Sequence, residues 1–186
     1  MLTSKPYYRA PYVFVVRKDS PLDIQSWDSP DLLKATKIGV AQDSPAQVLL
    51  EKLGLFNTNF NYMKSLTGLK SKRNQYVRVD PQRYVDDVAS GKADFAVVFA
   101  PEVARYAKQR GEGVKLVVVP DNATRKDGQH VPFHFDQSIG VRKEDKELLK
   151  EVDAALAKAR PEIETVLKEE GIPLDEIAKT PEGRAG

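Results

Sequence analysis

The amino-acid sequence predicts an α/β fold built on a parallel sheet, and three observations carry the prediction. Short β-branched and aromatic runs alternate with stretches whose apolar residues recur every three or four positions. Two of these runs pass straight into a helix start marked by proline, at Ser44-Pro45 and at Phe99-Ala100-Pro101. The chain has 186 residues, enough for one domain or two small lobes with a substantial core.

Taken in order, the first run is Tyr12 to Val16 (YVFVV), bounded by Pro11 and by Arg17-Lys18-Asp19-Ser20-Pro21, and it predicts a strand. Asp28-Ser29-Pro30 opens a short helical turn through Leu32 and Leu33. Lys37 to Val40 reads as a short buried strand. Ser44 then caps a helix with Pro45 in its first turn and Val48, Leu49, Leu50 and Leu53 on its apolar face, and Gly54 stops it. Residues 57–78 lack a clear period and predict a long surface excursion. Asp80-Pro81 caps a helix carrying Tyr84, Val85 and Val88, and Ala93 to Phe99 (ADFAVVF) is the most strand-like segment of the chain. A helix follows from Pro101 to Gly111, then a strand from Val114 to Val119. Residues 121–136 read as a loop, in which Phe133 and Phe135 flank His134 and plug the loop into a core; Gln137 to Arg142 is the last strand. The tail predicts two amphipathic helices, 145–159 and 161–170, separated at Pro161, with a last turn from Pro173 to Ile177.

Composition removes several classes of function. Lys and Arg exceed Asp and Glu by 29 to 27, a balance that creates no whole-molecule field of the kind nucleic-acid binders use. There is no cysteine, which excludes a disulfide framework, a zinc ribbon and thiol catalysis. No apolar run approaches the 18 residues of a membrane span, and the first twenty residues do not have the pattern of an export signal. Neither a Gly-x-Ser-x-Gly elbow nor a phosphate-binding loop occurs, so no catalytic residue and no cofactor is assigned. His130 and His134 have the i, i+4 spacing of a metal pair, but Pro132 between them places both in a loop, and no metal site is assigned either.

The best binding candidate is the loop containing Gln42, Asp43 and Ser44, beyond the carboxyl end of one strand and at the amino end of a helix. Ordinary capping by Ser44 or Asp43 is the alternative reading. Phe99 and Glu102 occupy the same place in the second strand-to-helix unit, so the two loops can face one cleft; for Glu102 the alternative is plain stabilisation of the helix start. Between Lys64 and Arg83 there are six cations and one acid, Asp80. Lys64, Lys70, Lys72, Arg73 and Arg78 are accordingly candidates for docking an acidic protein.

The segments TSKPYYR, YVFVV, KIGVAQDSPA, VASGKADFAVVFAPEVARYAKQ and QSIGVRKEDKELLKEVDAAL together resemble type II periplasmic solute-binding proteins. Within these the chain is most similar to the J proteins (MxaJ/XoxJ type) of methanol-oxidation clusters. That resemblance runs from Thr3 to about Pro173. It implies a two-lobed fold, a periplasmic location, and a non-enzymatic role beside a PQQ-dependent (calcium or lanthanide) methanol dehydrogenase, in its activation or assembly. It further implies residues 1–16 as a remnant of lobe one and the crossing between lobes, 17–135 as lobe two, and 136–186 as a return strand with C-terminal helices. A signal peptide and about 80 residues of lobe one would precede Thr3 in such a protein, a size typical of small domains. Tyr7 and Tyr8 are then either part of a ligand wall or buried in the core of lobe one. Amino-acid carriers of this fold place an acidic residue where Phe99-Ala100-Pro101 stands here, which disfavours an amino-acid ligand. The other function compatible with the resemblance is delivery of a small polar molecule to an ABC-type transporter.

Overall fold

The computed structural model describes residues 1–67 and 79–174. Along the chain these form β1 (Leu2–Thr3), β2 (Tyr8–Arg17), a 3-10 turn (Pro30–Lys34), β3 (Ile38–Val40), α1 (Pro45–Lys52), α2 (Phe56–Thr67), α3 (Pro81–Ala89), β4 (Phe95–Phe99), α4 (Ala100–Arg110), β5 (Val114–Val118), β6 (His134–Gln137), β7 (Gly140–Val141) and α5 (Lys146–Glu169). They fall into two units, Pro11–Phe133 and Met1–Ala10 with His134–Gly186. None of the described helices is long and apolar enough to cross a membrane.

In the unit Pro11–Phe133 the strand order is β3-β4-β2-β5. The period-2 pleat sends alternate side chains of each strand to opposite faces, and both faces are apolar. Phe14, Val16, Ile38, Val40, Phe95 and Val97 join one buried cluster with Trp27, Leu32, Leu49, Leu50 and Phe133. Val13, Val15, Ala96 and Val98 join the other with Tyr84, Val85, Val88 and Val103 from α3 and α4. A sheet covered on both faces explains why these strands read as unbroken apolar runs.

The α/β class stands, but the sheet is mixed. β3 is parallel to β4, whereas β2 is antiparallel to both β4 and β5. The strand–helix–strand alternation therefore describes β3, β4 and β5, which run the same way. β2 enters between β4 and β5 in the opposite direction, and a strand buried on both faces looks the same in sequence whichever way it runs.

A second difference is α2, a helix where the sequence predicts an excursion. Asn, Thr and Ser are poor helix formers, but tertiary hydrogen bonds override that preference. The fully buried Asn59 accepts from Ile38 N at 2.7 Å through Oδ1 and donates Nδ2 to Leu55 O at 2.9 Å. Tyr62 donates to Asp87 at 3.1 Å. Gly39 is required by close approach: a Cβ there would lie 2.9 Å from the Tyr84 ring and 3.0 Å from Ala96 Cβ. Phe133 is fully buried against Tyr12 and Trp27 and plugs its loop into the core, whereas His134 and Phe135 already belong to β6, where Phe135 is only half-buried.

In the other unit, Leu2 and Thr3 of β1 pair with Val141 and Gly140 of β7. Tyr7 N donates to Gln137 O at 3.0 Å, and Arg9 meets Asp136 at 3.0 Å. The segment 137–142 is not one strand, because β6 ends at Gln137 and Ser138-Ile139 separate it from β7. Nor is the tail two helices: α5 continues through Pro161, whose fixed φ suits a helix and which forfeits one N–H bond. The predicted turn at 173–177 lies mostly outside the described residues.

Candidate functional site

The carboxyl ends of β3 and β4 stop side by side, and each leads into a helix start. At the first, Ser44 is an extended N-cap whose Oγ accepts from Gln47 N at 3.3 Å and donates to Ala41 O at 2.7 Å. Asp43 takes a left-handed backbone (φ 57°) and donates its N–H to Gln47 Oε1 at 3.0 Å. The capping alternative is thus realised at Ser44. At the second, Phe99 caps α4 with no side-chain hydrogen bond, and Glu102 lies in the first turn.

A cavity of about 790 Å³ opens over these ends. Gln42, Asp43, Ser44, Phe99 and Glu102 all line it, so the structure brings five predicted ligand-cleft residues together. Lys64, predicted as a docking residue, also lines it from α2. Lys70, Lys72, Arg73 and Arg78 lie outside the described residues. Tyr7 and Tyr8 belong to the other unit, where their rings form an edge-on pair at 4.9 Å; burial and the neighbouring Tyr7 raise the Tyr8 phenol above its ordinary value.

Sequence reasoning missed the rest of the wall. Tyr12 and Phe99 pack at 5.5 Å between ring centres, and Phe56, Phe60 and Met63 reach the cavity from α2. Tyr84, on α3, is only 2% exposed, and its hydroxyl has no hydrogen-bond partner among the described residues. Burial, then the Glu102 carboxylate, raises both the Tyr12 and the Tyr84 phenols, so each is neutral at pH 7. The sequence signal for Tyr84 was present: a tyrosine at a core position brings a hydroxyl that needs a partner. The other unpartnered buried atom among the described residues, Trp27 Nε1, sits within the core beside Phe14 and Phe133. His130 Nε2 lies 3.1 Å from Asp121 O, and no group of three potential metal ligands occurs among the described residues.

A sequence profile described as bacterial extracellular solute-binding protein matches residues 1–165. Protein MoxJ of Methylorubrum extorquens AM1 is 45% identical over 174 residues, which cover 94% of this chain and 58% of MoxJ. The chain thus spans just under three fifths of that relative's length. The crystal structure of MxaJ from Methlophaga aminisulfidivorans superposes with a TM-score of 0.87 at 48% identity, over 93% of this chain and 70% of that one. That of the periplasmic binding protein XoxJ from Methylobacterium extorquens AM1 gives 0.70 at 25% identity, over 95% and 74%.

Proposed function

The chain belongs to the bacterial extracellular solute-binding protein family, and from that premise we propose that it works in the periplasm, without catalysis, as an accessory of a PQQ-dependent methanol dehydrogenase, aiding the enzyme's activation or assembly. The observation that carries this reading is the identity to MoxJ along nearly the whole chain. The stronger likeness to MxaJ than to XoxJ favours the MxaJ type of system. Docking uses the basic segment that begins at Lys64 and includes Lys70, Lys72, Arg73 and Arg78, facing an acidic surface of the enzyme.

Sedimentation of the protein mixed with purified methanol dehydrogenase, with and without its metal and quinone, tests the proposal. The expected result is a complex strongest with the incomplete enzyme and weaker as salt rises, since exposed charges are screened beyond about 8–10 Å at physiological ionic strength. Charge reversal at Lys70, Lys72 and Arg73 should slow association. No complex in any form overturns the reading, and a complex indifferent to salt overturns the basic docking surface.

A second reading, a carrier for a small polar solute, is favoured by the cavity and by its Tyr84 hydroxyl, which has no partner among the described residues. A ligand at a hundredfold excess over its Kd stabilises the folded state by about 2.7 kcal/mol. A panel of small solutes that leaves the melting temperature unchanged counts against it.

A further inference from the structure

The two helix starts at the cavity already hold their negative groups. At α1 the Ser44 and Gln47 side-chain oxygens take the N–H groups of Gln47 and Asp43, and Pro45 contributes no N–H. At α4, Pro101 removes one donor and Glu102 sets a carboxylate against the positive end of the helix dipole. The Glu102 carboxylate at the start of α4 opposes an anionic ligand there. Among the described residues the lining carries two carboxylates, Asp43 and Glu102, against one ammonium, Lys64, and Glu102 has no ion pair. Beside them stand the Tyr12 and Phe99 rings, whose faces attract cations. Among the described residues the buried Tyr84 hydroxyl has no acceptor, an unfavourable state that a ligand oxygen would relieve.

We infer that this cavity takes a small organic ammonium ion bearing an oxygen, with the charge toward Glu102 and the Tyr12–Phe99 wall and the oxygen accepting from Tyr84. The inference rests on the second reading above, that the cavity is a ligand site. The raised Tyr12 and Tyr84 phenols agree with it, because both remain hydrogen-bond donors at neutral pH.

Calorimetry on the full chain with four probes tests it: choline, its uncharged isostere 3,3-dimethylbutan-1-ol, the anion 3,3-dimethylbutanoate, and tetramethylammonium, which has no oxygen. Choline should bind at least tenfold more tightly than the uncharged isostere, and the anion should not bind. Glu102→Gln should remove most of the preference for choline over its isostere. Tyr84→Phe should weaken choline but not tetramethylammonium, and it should not lower the melting temperature of the ligand-free protein, because the hydroxyl it removes has no partner there. This last readout separates a ligand contact from a structural one. If the isostere or the anion binds as tightly as choline, or if only anions of a wider solute panel bind, the cationic class is wrong while the cavity remains a ligand site. If no probe and no member of the wider panel binds, the second reading and this inference both fall.

Discussion

Removing the Asn59 side chain should expose how far one buried amide holds α2 against β3. In Asn59→Ala the Ile38 N–H, now bonded at 2.7 Å, loses its acceptor inside the core. An orphaned buried donor costs about 1–3 kcal/mol. Leu55 O loses the Nδ2 bond but still accepts from Asn59 N at 3.2 Å, so this second loss is nearer the roughly 1 kcal/mol of an ordinary hydrogen bond. The better helix propensity of alanine returns about 0.6 kcal/mol. The net expectation is a destabilisation of about 2–3 kcal/mol, read from urea unfolding as a lower midpoint with an unchanged slope. Asn61→Ala, on the exposed side of the same helix, is the control and should shift stability by no more than about 0.5 kcal/mol. If Asn59→Ala falls within 0.5 kcal/mol of that control, the amide does not organise α2 and the reasoning fails.

Other perturbations follow from the same contacts. Gly39→Ala drives a methyl into the Tyr84 ring and should cost about 1–3 kcal/mol by overpacking, measured by the same unfolding assay. Ser44→Ala removes the cap of α1 and should cost about 0.5–2 kcal/mol, with a lower thermal midpoint. Burial, the Asp87 charge and its hydrogen bond raise the Tyr62 phenol above the ordinary 10.0. The folded state disfavours its phenolate, so this contribution to stability is complete below pH 10 and is lost as pH rises above it. Tyr62→Phe should accordingly show a shallower fall in stability above pH 10 than the parent chain, and identical slopes would refute the assignment.

The strands and the capped helices were legible because their signals are local. YVFVV, ADFAVVF, the Ser44-Pro45 start and the Asp80-Pro81 start each act over a few residues, and each appears where the sequence places it. Gln42, Asp43, Ser44, Phe99 and Glu102 of the cavity were legible for the same reason, since they follow from strand ends and helix starts. What escaped depends on distant partners. The direction of β2 is decided by β4 and β5, and α2 is held by Ile38 and Asp87, neither of which its own composition reveals. In the sequence Tyr84 stands as one more core position on α3, and only the folded structure shows that its hydroxyl meets no partner among the described residues. Pro161 misled in the opposite sense, as a local stop signal that the rest of α5 outweighs.

The central place of β2 also sets an order of events during synthesis. Val16 pairs with Phe95 and Val13 with Val118, partners 79 and 105 residues further along the chain. At about 5–20 residues per second, Val13–Val16 spends roughly 4–20 s outside the ribosome before its neighbours exist. During that interval four consecutive residues destined to be almost wholly buried form an apolar segment with unpaired backbone on both sides. Such a segment is the part of the nascent chain most open to pairing with another copy. Folding yield, more than the final stability of the sheet, is therefore the quantity that a shielding factor, or a slower rate of expression, would improve.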